Sequence, residues 1–286
     1  VALKEDSSLG DLTEENTSRF VQAGDVKIHY NEAGEGEPVI FVHGGGPGAS
    51  GWSNWYPNIG PISKHYRAIL VDMPGWGQSD SVVVNEERFQ YNARVFKDML
   101  DELNIEKAHF VGNSMGGGTT AKFCIDYPDR VMKHVLMGSA GSGPSLFFPK
   151  MAEGIRYIFK VWKDPTVENF RDLMEVFCYD SSFATDELLE RRVASMKSRP
   201  DHLEARAKTN PKYLRPNDLS PELHKVQAET LVIWGRDDRF ESLDSALKFI
   251  WMIPKADLIV YSQCGHWAQY EQAEKFNADL LRFLQR

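Results

Sequence analysis

Apolar residues recur along this chain in two periods, and the changes of period mark out its elements. Apolar and polar positions alternate through Phe20–Ala23 and Val26–Glu32, with Gly24-Asp25 between them, which predicts two strands joined by a turn. Pro38–Val42 is instead a short continuous apolar run, the pattern of a strand buried on both faces in a parallel sheet. The same kind of run returns at Ala68–Val71, Ala108–Val111, Val135–Met137, Thr230–Trp234 and Leu258–Tyr261. Between several of them the apolar spacing becomes helical, as in Arg88–Leu103 and Gly117–Tyr127. Strands alternating with helices predict an α/β fold with a doubly wound, mostly parallel sheet.

The alternation stops between about Pro149 and Lys212. The pattern there is helical throughout, over Met151–Lys163, Val167–Cys178, Thr185–Ser198 and Asp201–Thr209, punctuated by Pro165, Pro200 and Pro211. Strands resume after Glu229. This predicts a core of residues 1–149 and 213–286 with a helical lid, residues 150–212, inserted over the sheet's C-terminal edge, where open α/β folds bind ligands. Residues 1–18 are polar and rich in Ser, Thr and Glu, and are expected to form a loose arm.

Composition removes several function classes. A chain of 286 residues with 42% hydrophobic content can bury a full core. Its net charge is −8 and no Lys/Arg-rich run occurs, so no nucleic-acid partner is expected. No apolar run reaches the roughly 18 residues of a membrane span, and the acidic, polar start does not resemble a signal peptide. The three cysteines, Cys124, Cys178 and Cys264, are odd in number and widely spaced, which suggests neither a disulfide framework nor a metal site. A cytoplasmic enzyme without metal or cofactor is expected.

The chemistry-bearing motif is Gly112-Asn113-Ser114-Met115-Gly116, a G-x-S-x-G sequence that follows an apolar strand and precedes a helical stretch. Such a turn exposes the Ser114 hydroxyl, and the helix N-terminus beyond it favours developing negative charge. A serine needs a base to act as a nucleophile at neutral pH. Of eight histidines, His266 in Cys264-Gly265-His266-Trp267 lies just past the last apolar strand, where strand-end loops converge. The preceding strand ends in Gly235-Arg236-Asp237-Asp238. An acid there completes the chain order Ser, acid, His of the α/β-hydrolase fold. The spacing Gly-x-x-Asp selects Asp238 to hold the imidazole tautomer and leaves Asp237 as a turn or salt-bridge residue. Cys264 is read as a small buried neighbour of the histidine loop.

An early strand leads into His43-Gly44-Gly45-Gly46-Pro47-Gly48, a glycine-rich element of the kind that frees backbone N–H groups toward an oxyanion. One N–H of this element and that of Met115, the residue after the nucleophile, are the expected donors, each contributing roughly 3–4 kcal/mol to the transition state. His43 is expected to brace this loop.

These motifs, with His29–Gly34, Gly51-Trp52-Ser53-Asn54, Gly112–Gly118, Trp234–Phe240 and Cys264–Ala268, give a resemblance over nearly the whole chain. The chain resembles the meta-cleavage product hydrolases, carbon–carbon bond hydrolases of aromatic ring degradation, and most closely their biphenyl-pathway branch. The resemblance implies a 2-hydroxy-6-oxo-6-aryl-hexa-2,4-dienoate substrate and a homo-oligomer, dimer or higher. It implies Gly45 as the oxyanion donor of the glycine-rich element. It also implies substrate-binding roles for Gly44, Gly46, Asn54, Asn113, Arg192, Phe240, Glu241 and Trp267. Arg192 would take the substrate carboxylate, because a guanidinium can hold it bidentately. The sequence departs from the family after Phe240. Where these hydrolases usually continue Val-Pro-Leu-Asp, this chain has Glu241-Ser242-Leu243-Asp244. Glu241 either faces solvent or accepts a hydrogen bond from a hydroxylated aryl group, as in dibenzofuran- or dioxin-type ring-fission products.

Three rivals share parts of the pattern. An esterase or lactonase would use the same triad without needing Arg192 and Asn113. A haloalkane dehalogenase or epoxide hydrolase would carry Asp where Ser114 stands. A non-catalytic ligand receptor could be built on the same fold.

Overall fold

In the computed structural model, residues 12–145 and 153–286 are described. One eight-stranded sheet runs through the protein in the order β1-β2-β4-β3-β5-β6-β7-β8. Its strands are β1 (Ser18–Ala23), β2 (Val26–Ala33), β3 (Pro38–Val42), β4 (Arg67–Val71), β5 (Ala108–Asn113), β6 (Val131–Met137), β7 (Glu229–Gly235) and β8 (Ala256–Tyr261). β1 pairs antiparallel with β2, and β2 antiparallel with β4. Every pairing from β4 through β8 is parallel. The continuous apolar runs become the central strands because both faces are covered: Val39–Val42, Ala68–Val71 and Phe110–Val111 are fully buried.

Helices α1 (Glu14–Thr17), α2 (Gly51–Ser63), α3 (Arg88–Glu102) and α4 (Met115–Asp126) precede the insertion, and α9 (Leu243–Met252), α10 (Ala268–Glu271) and α11 (Ala273–Leu284) follow it. Between β6 and β7 stand α5 (Glu153–Lys163), α6 (Val167–Phe177), α7 (Asp186–Lys197) and α8 (Pro200–Lys208). The expected lid start at 149/150 and the first two residues of the helix expected from Met151 lie outside the described residues. The expected return to the core at 212/213 falls inside a short 3-10 turn, Pro211–Leu214. Among the described residues no helix is long and apolar enough to cross a membrane.

The expectation of a loose arm through residue 18 is corrected over its described part. Thr13 and Asn16 cap α1 reciprocally, side chain to backbone. Asn31 of β2 then ties the turn down, donating to Glu14 O at 2.8 Å and Thr17 Oγ1 at 2.9 Å. Ser18 is already paired with Asn31 in the β1–β2 ladder.

Helix α2 contains Pro57 and Pro61. A proline has no N–H, so each leaves the carbonyl four residues earlier without its helical donor. Both carbonyls are used by other side chains. Pro57 O accepts from Asn277 Nδ2 at 3.2 Å. Ser53 O accepts from Tyr270 Oη at 2.6 Å and from Arg192 Nη2 at 3.3 Å. The second site matters below, because Arg192 belongs to the inserted helices and Ser53 to the core.

Candidate active site

Parallel strands end at one edge of the sheet, and the motif residues follow from those ends. β5 ends at Asn113 and α4 starts at Met115, so Ser114 alone makes the turn. Its backbone sits at φ 53, ψ −119. A side-chain-bearing residue enters such a conformation only under constraint, at about 1–3 kcal/mol. The constraint consists of three hydrogen bonds. Ser114 N–H donates to Met137 O at 3.0 Å, and Ser114 O accepts from Gly118 N–H at 3.2 Å and Ala140 N–H at 3.0 Å. Gly116 admits this crowding: a Cβ there would lie 2.3 Å from Val42 O.

Met115 is the first residue of α4, and its N–H has no acceptor within the helix. Gly45 approaches from the end of β3 so closely that a Cβ would lie 2.6 Å from Met115 Cε. Gly44, Gly45, Gly46, Ser114 and Met115 line one cavity, with His266 on the same wall system. Among the described residues this cavity encloses about 940 Å³, its open mouth included. His43 sits behind the glycine loop. Its Nδ1 donates to Gly44 O at 2.7 Å and its Nε2 accepts from Met73 N–H at 3.0 Å. Burial draws its pKa down to about 4, so a neutral imidazole with both nitrogens occupied braces the loop.

His266 Nδ1 lies 2.8 Å from Asp238 Oδ2, with both side chains at most 1% exposed. The second carboxylate oxygen, Oδ1, accepts from Phe240 N–H at 2.7 Å and Glu241 N–H at 2.9 Å. These two bonds fix the plane of the acid, and the acid fixes the ring. The rings of Phe177 and Phe240 flank the imidazole, with centroids 4.8 and 4.7 Å away. Asp237 points elsewhere and pairs with Arg236 at 3.1 Å. Cys264 is buried, and burial pushes its thiol far above the ordinary range, which leaves no thiolate to act.

Arg192 and Arg191 are separated by the helix surface. Arg191 is exposed, whereas Arg192 is 6% exposed and lines the cavity. The Arg192 guanidinium lies 4.8 Å over the Trp267 ring and donates to Ser53 O. No carboxylate pairs with it among the described residues, and burial lowers its pKa. A guanidinium held this way, with no acid beside it among the described residues, is free to take an anion. Asn54 and Asn113 stand in the same cavity with complementary free atoms. Asn54 Nδ2 and Asn113 Oδ1 are buried without partners, one a donor and the other an acceptor. Asn113 Nδ2 is occupied by Met137 O at 3.1 Å.

Phe240, Glu241 and Trp267 also line the cavity. Glu241, expected either at the solvent or on the substrate's ring, is among the residues lining the cavity. Burial first, and then the Asp238 and Asp244 carboxylates, push the Glu241 carboxyl up to about 8. At neutral pH it is therefore mostly protonated and can donate as well as accept. Sequence reasoning missed several large cavity residues, among them Trp76, Arg88, Phe159, Trp162, Phe177 and Arg206. It also missed Tyr270, which shares the Ser53 carbonyl with Arg192. The signal for that pair was available in the four-residue spacing from Ser53 to Pro57.

Residues 37–273 match the family described as the alpha/beta hydrolase fold. The chain is 50% identical to a 2-hydroxy-6-oxo-6-phenylhexa-2,4-dienoate hydrolase of Comamonas testosteroni, over 96% of this chain and 99% of the relative. It is 48% identical to a 2-hydroxy-6-oxononadienedioate/2-hydroxy-6-oxononatrienedioate hydrolase of Paraburkholderia phymatum, over 95% and 97%. Among solved structures, a meta-cleavage product hydrolase from Pseudomonas fluorescens superposes with a TM-score of 0.83 at 34% identity, covering 93% of this chain and 97% of that one. The chain belongs to the α/β-hydrolase fold family, as one of its meta-cleavage product hydrolases.

Proposed function

We propose that the enzyme hydrolyses the C5–C6 bond of a 2-hydroxy-6-oxo-6-aryl-hexa-2,4-dienoate. The observation that carries this is the shared cavity: a serine–histidine–aspartate arrangement opens onto a buried arginine that has no acid partner among the described residues. A simple esterase has no use for that charge. The dienol first becomes the keto tautomer by gaining a proton at C5, which gives the breaking bond an electron sink. His266 carries that proton. Ser114 Oγ then attacks the C6 ketone, and the N–H groups of Gly45 and Met115 hold the oxyanion. Collapse breaks C5–C6 and releases 2-hydroxypenta-2,4-dienoate. Water, activated by His266, frees the acyl group from Ser114 as an aryl carboxylic acid.

Arg192 binds the C1 carboxylate in this scheme. Asn54 donates to the dienoate's oxygens, and Asn113 Oδ1 accepts from its enol hydroxyl. Arg192→Ala is expected to lower kcat/KM on a dienoate by about 10- to 100-fold, the value of a charge-assisted hydrogen bond. On a neutral nitrophenyl ester the loss should be small. Equal losses on both would show that the variant damages the helices over the cavity rather than carboxylate binding.

Glu241 reads the 6-substituent. A protonated carboxyl facing the cavity is matched by an aryl hydroxyl and not by a bare phenyl edge. Glu241→Val should shift the ratio of kcat/KM for 6-(hydroxyphenyl) over 6-phenyl dienoate by roughly 1–3 kcal/mol toward phenyl. If wild type and variant give one ratio, the carboxyl does not touch the ring substituent.

The helices α5–α8 serve as the lid, since Ile155, Ile158, Phe177 and Arg192 among them line the cavity. Assembly into a homo-oligomer is part of the same proposal. Leu247 and Trp251, four residues apart on α9, are 48% and 89% exposed beside the edge strand β8. The three cysteines are free and buried, which suits a cytoplasmic setting.

A further inference from the structure

The cavity carries a second set of cations besides Arg192. Arg88 opens helix α3 and is 5% exposed, with its guanidinium 5.3 Å over the Trp76 ring and Nη1 buried without a partner. Arg206, half-buried on α8, lies 4.2 Å over the Trp162 ring. All four residues line the cavity that holds Ser114. Neither arginine meets a carboxylate among the described residues. The acids preceding Arg88 are engaged elsewhere: Glu86 pairs with Arg94, and Glu87 with Lys212 at 3.5 Å.

This placement is unfavourable three times over. A cation at a helix N-terminus opposes the helix dipole. Burial takes water away from both charges, and an aromatic face returns only part of what is lost. The two guanidiniums also repel; burial first, and then this repulsion, draws Arg88 down to about 10. An anion between them reverses all three terms at once, since it is attracted by the helix end and by both cations.

The two arginine loci are distinct. Arg192, on α7, rests on Trp267 and Ser53 O, whereas Arg88, on α3, and Arg206, on α8, rest on Trp76 and Trp162. If Arg192 takes the C1 carboxylate and Ser114 the C6 ketone, the rest of the cavity belongs to the 6-substituent. The relatives differ at that point. One is named for a phenyl substrate and another, at nearly the same identity, for a dioate with a second carboxylate. Overall identity therefore does not choose between them, and the cavity's charge does.

We infer that Arg88 and Arg206 form a second anion subsite, which takes a carboxylate on the C6 side of the dienoate. The inference rests on the dienoate assignment above and widens its 6-substituent from an aryl group to one that carries a carboxylate. It is tested with purified enzyme on two substrates, 2-hydroxy-6-oxononadienedioate and the 6-phenyl dienoate, each followed by loss of visible absorbance. Wild type should favour the dioate in kcat/KM. Arg206→Leu should lower the dioate-to-phenyl ratio by about 10- to 100-fold, mostly through KM, and Arg206→Lys should restore part of it. Because turnover of the phenyl substrate reports folding in the same tube, a misfolded variant lowers both rates and is distinguished from a specificity change. Arg88→Lys, which keeps the charge and loses the fork, then carries the test. Hydrolysis of both substrates with a ratio indifferent to Arg206→Leu and Arg88→Lys overturns the subsite and leaves the dienoate assignment standing. Hydrolysis of neither by wild type overturns both.

Discussion

Ser114→Ala should abolish dienoate cleavage, with a fall in kcat of at least about a thousandfold. The hydroxyl is the only group of the turn that can bond to the C6 carbon, and no thiol replaces it because Cys264 is buried and held protonated. The fold should survive. Alanine carries the same Cβ through φ 53 as serine does, so the strain at the turn is unaltered. The three backbone bonds that hold the turn use only main-chain atoms of residue 114. Arg192, Asn54 and Asn113 are untouched, so the variant should still bind substrate at close to wild-type affinity. Stopped-flow absorbance and product chromatography separate the two effects. Near-normal release of the aryl acid by Ser114→Ala would sink the acyl-enzyme scheme and favour direct attack by water.

What could be read from the sequence depended on how local the cause was. Pro38–Val42 and Arg88–Leu103 declare themselves by period alone, and both appear within a residue of their expected bounds. The turn at Ser114 was legible for the same reason: strand, glycines and helix are contiguous. Helix α2 was not, because Pro57 and Pro61 argue against a helix interior, and what compensates them is distant in sequence. The donors that take the freed carbonyls come from Arg192, Tyr270 and Asn277. The same holds for the first turn at Glu14–Thr17, whose polar composition suggests looseness until Asn31 is brought beside it.

Site residues divide along the same line. Gly44–Gly46, Ser114, Asp238 and His266 carry a motif with them; the glycines, Ser114 and His266 come to line one cavity, and Asp238 is brought to 2.8 Å from His266. Arg88 and Arg206 belong to no motif and are 118 positions apart by their own numbers. Their one local signal is electrostatic, a cation at the first turn of α3. Glu241 was visible as a departure from a family pattern, but its orientation was not, because that depends on how Asp238 Oδ1 captures the N–H groups of Phe240 and Glu241.

That capture also decides the outcome at the adjacent aspartates. Asp238→Asn should cost about ten-thousandfold in kcat, by the logic of a misplaced imidazole tautomer. In the native site Oδ1 accepts two backbone N–H groups and Oδ2 faces His266 Nδ1 at 2.8 Å. An asparagine must put its one oxygen where the two N–H donors are, since an NH₂ there would meet donors with donors. The NH₂ then faces Nδ1 and forces it to accept. The ring proton moves to Nε2, the nitrogen that has to receive the Ser114 proton, and the base is lost. The negative charge that would stabilise the imidazolium is lost with it. Asp237→Asn changes only a partly exposed pair with Arg236 and should cost less than about threefold. A second signature separates the tautomer effect from simple damage. The Asp238 charge is one of the causes that raise Glu241, so Asp238→Asn should lower the Glu241 pKa from about 8 while the protein stays folded. Kinetics of the two variants, with the Glu241 titration followed by carboxyl-labelled NMR, tests both parts. Asp237→Asn proving the more damaging would reassign the acid of the triad.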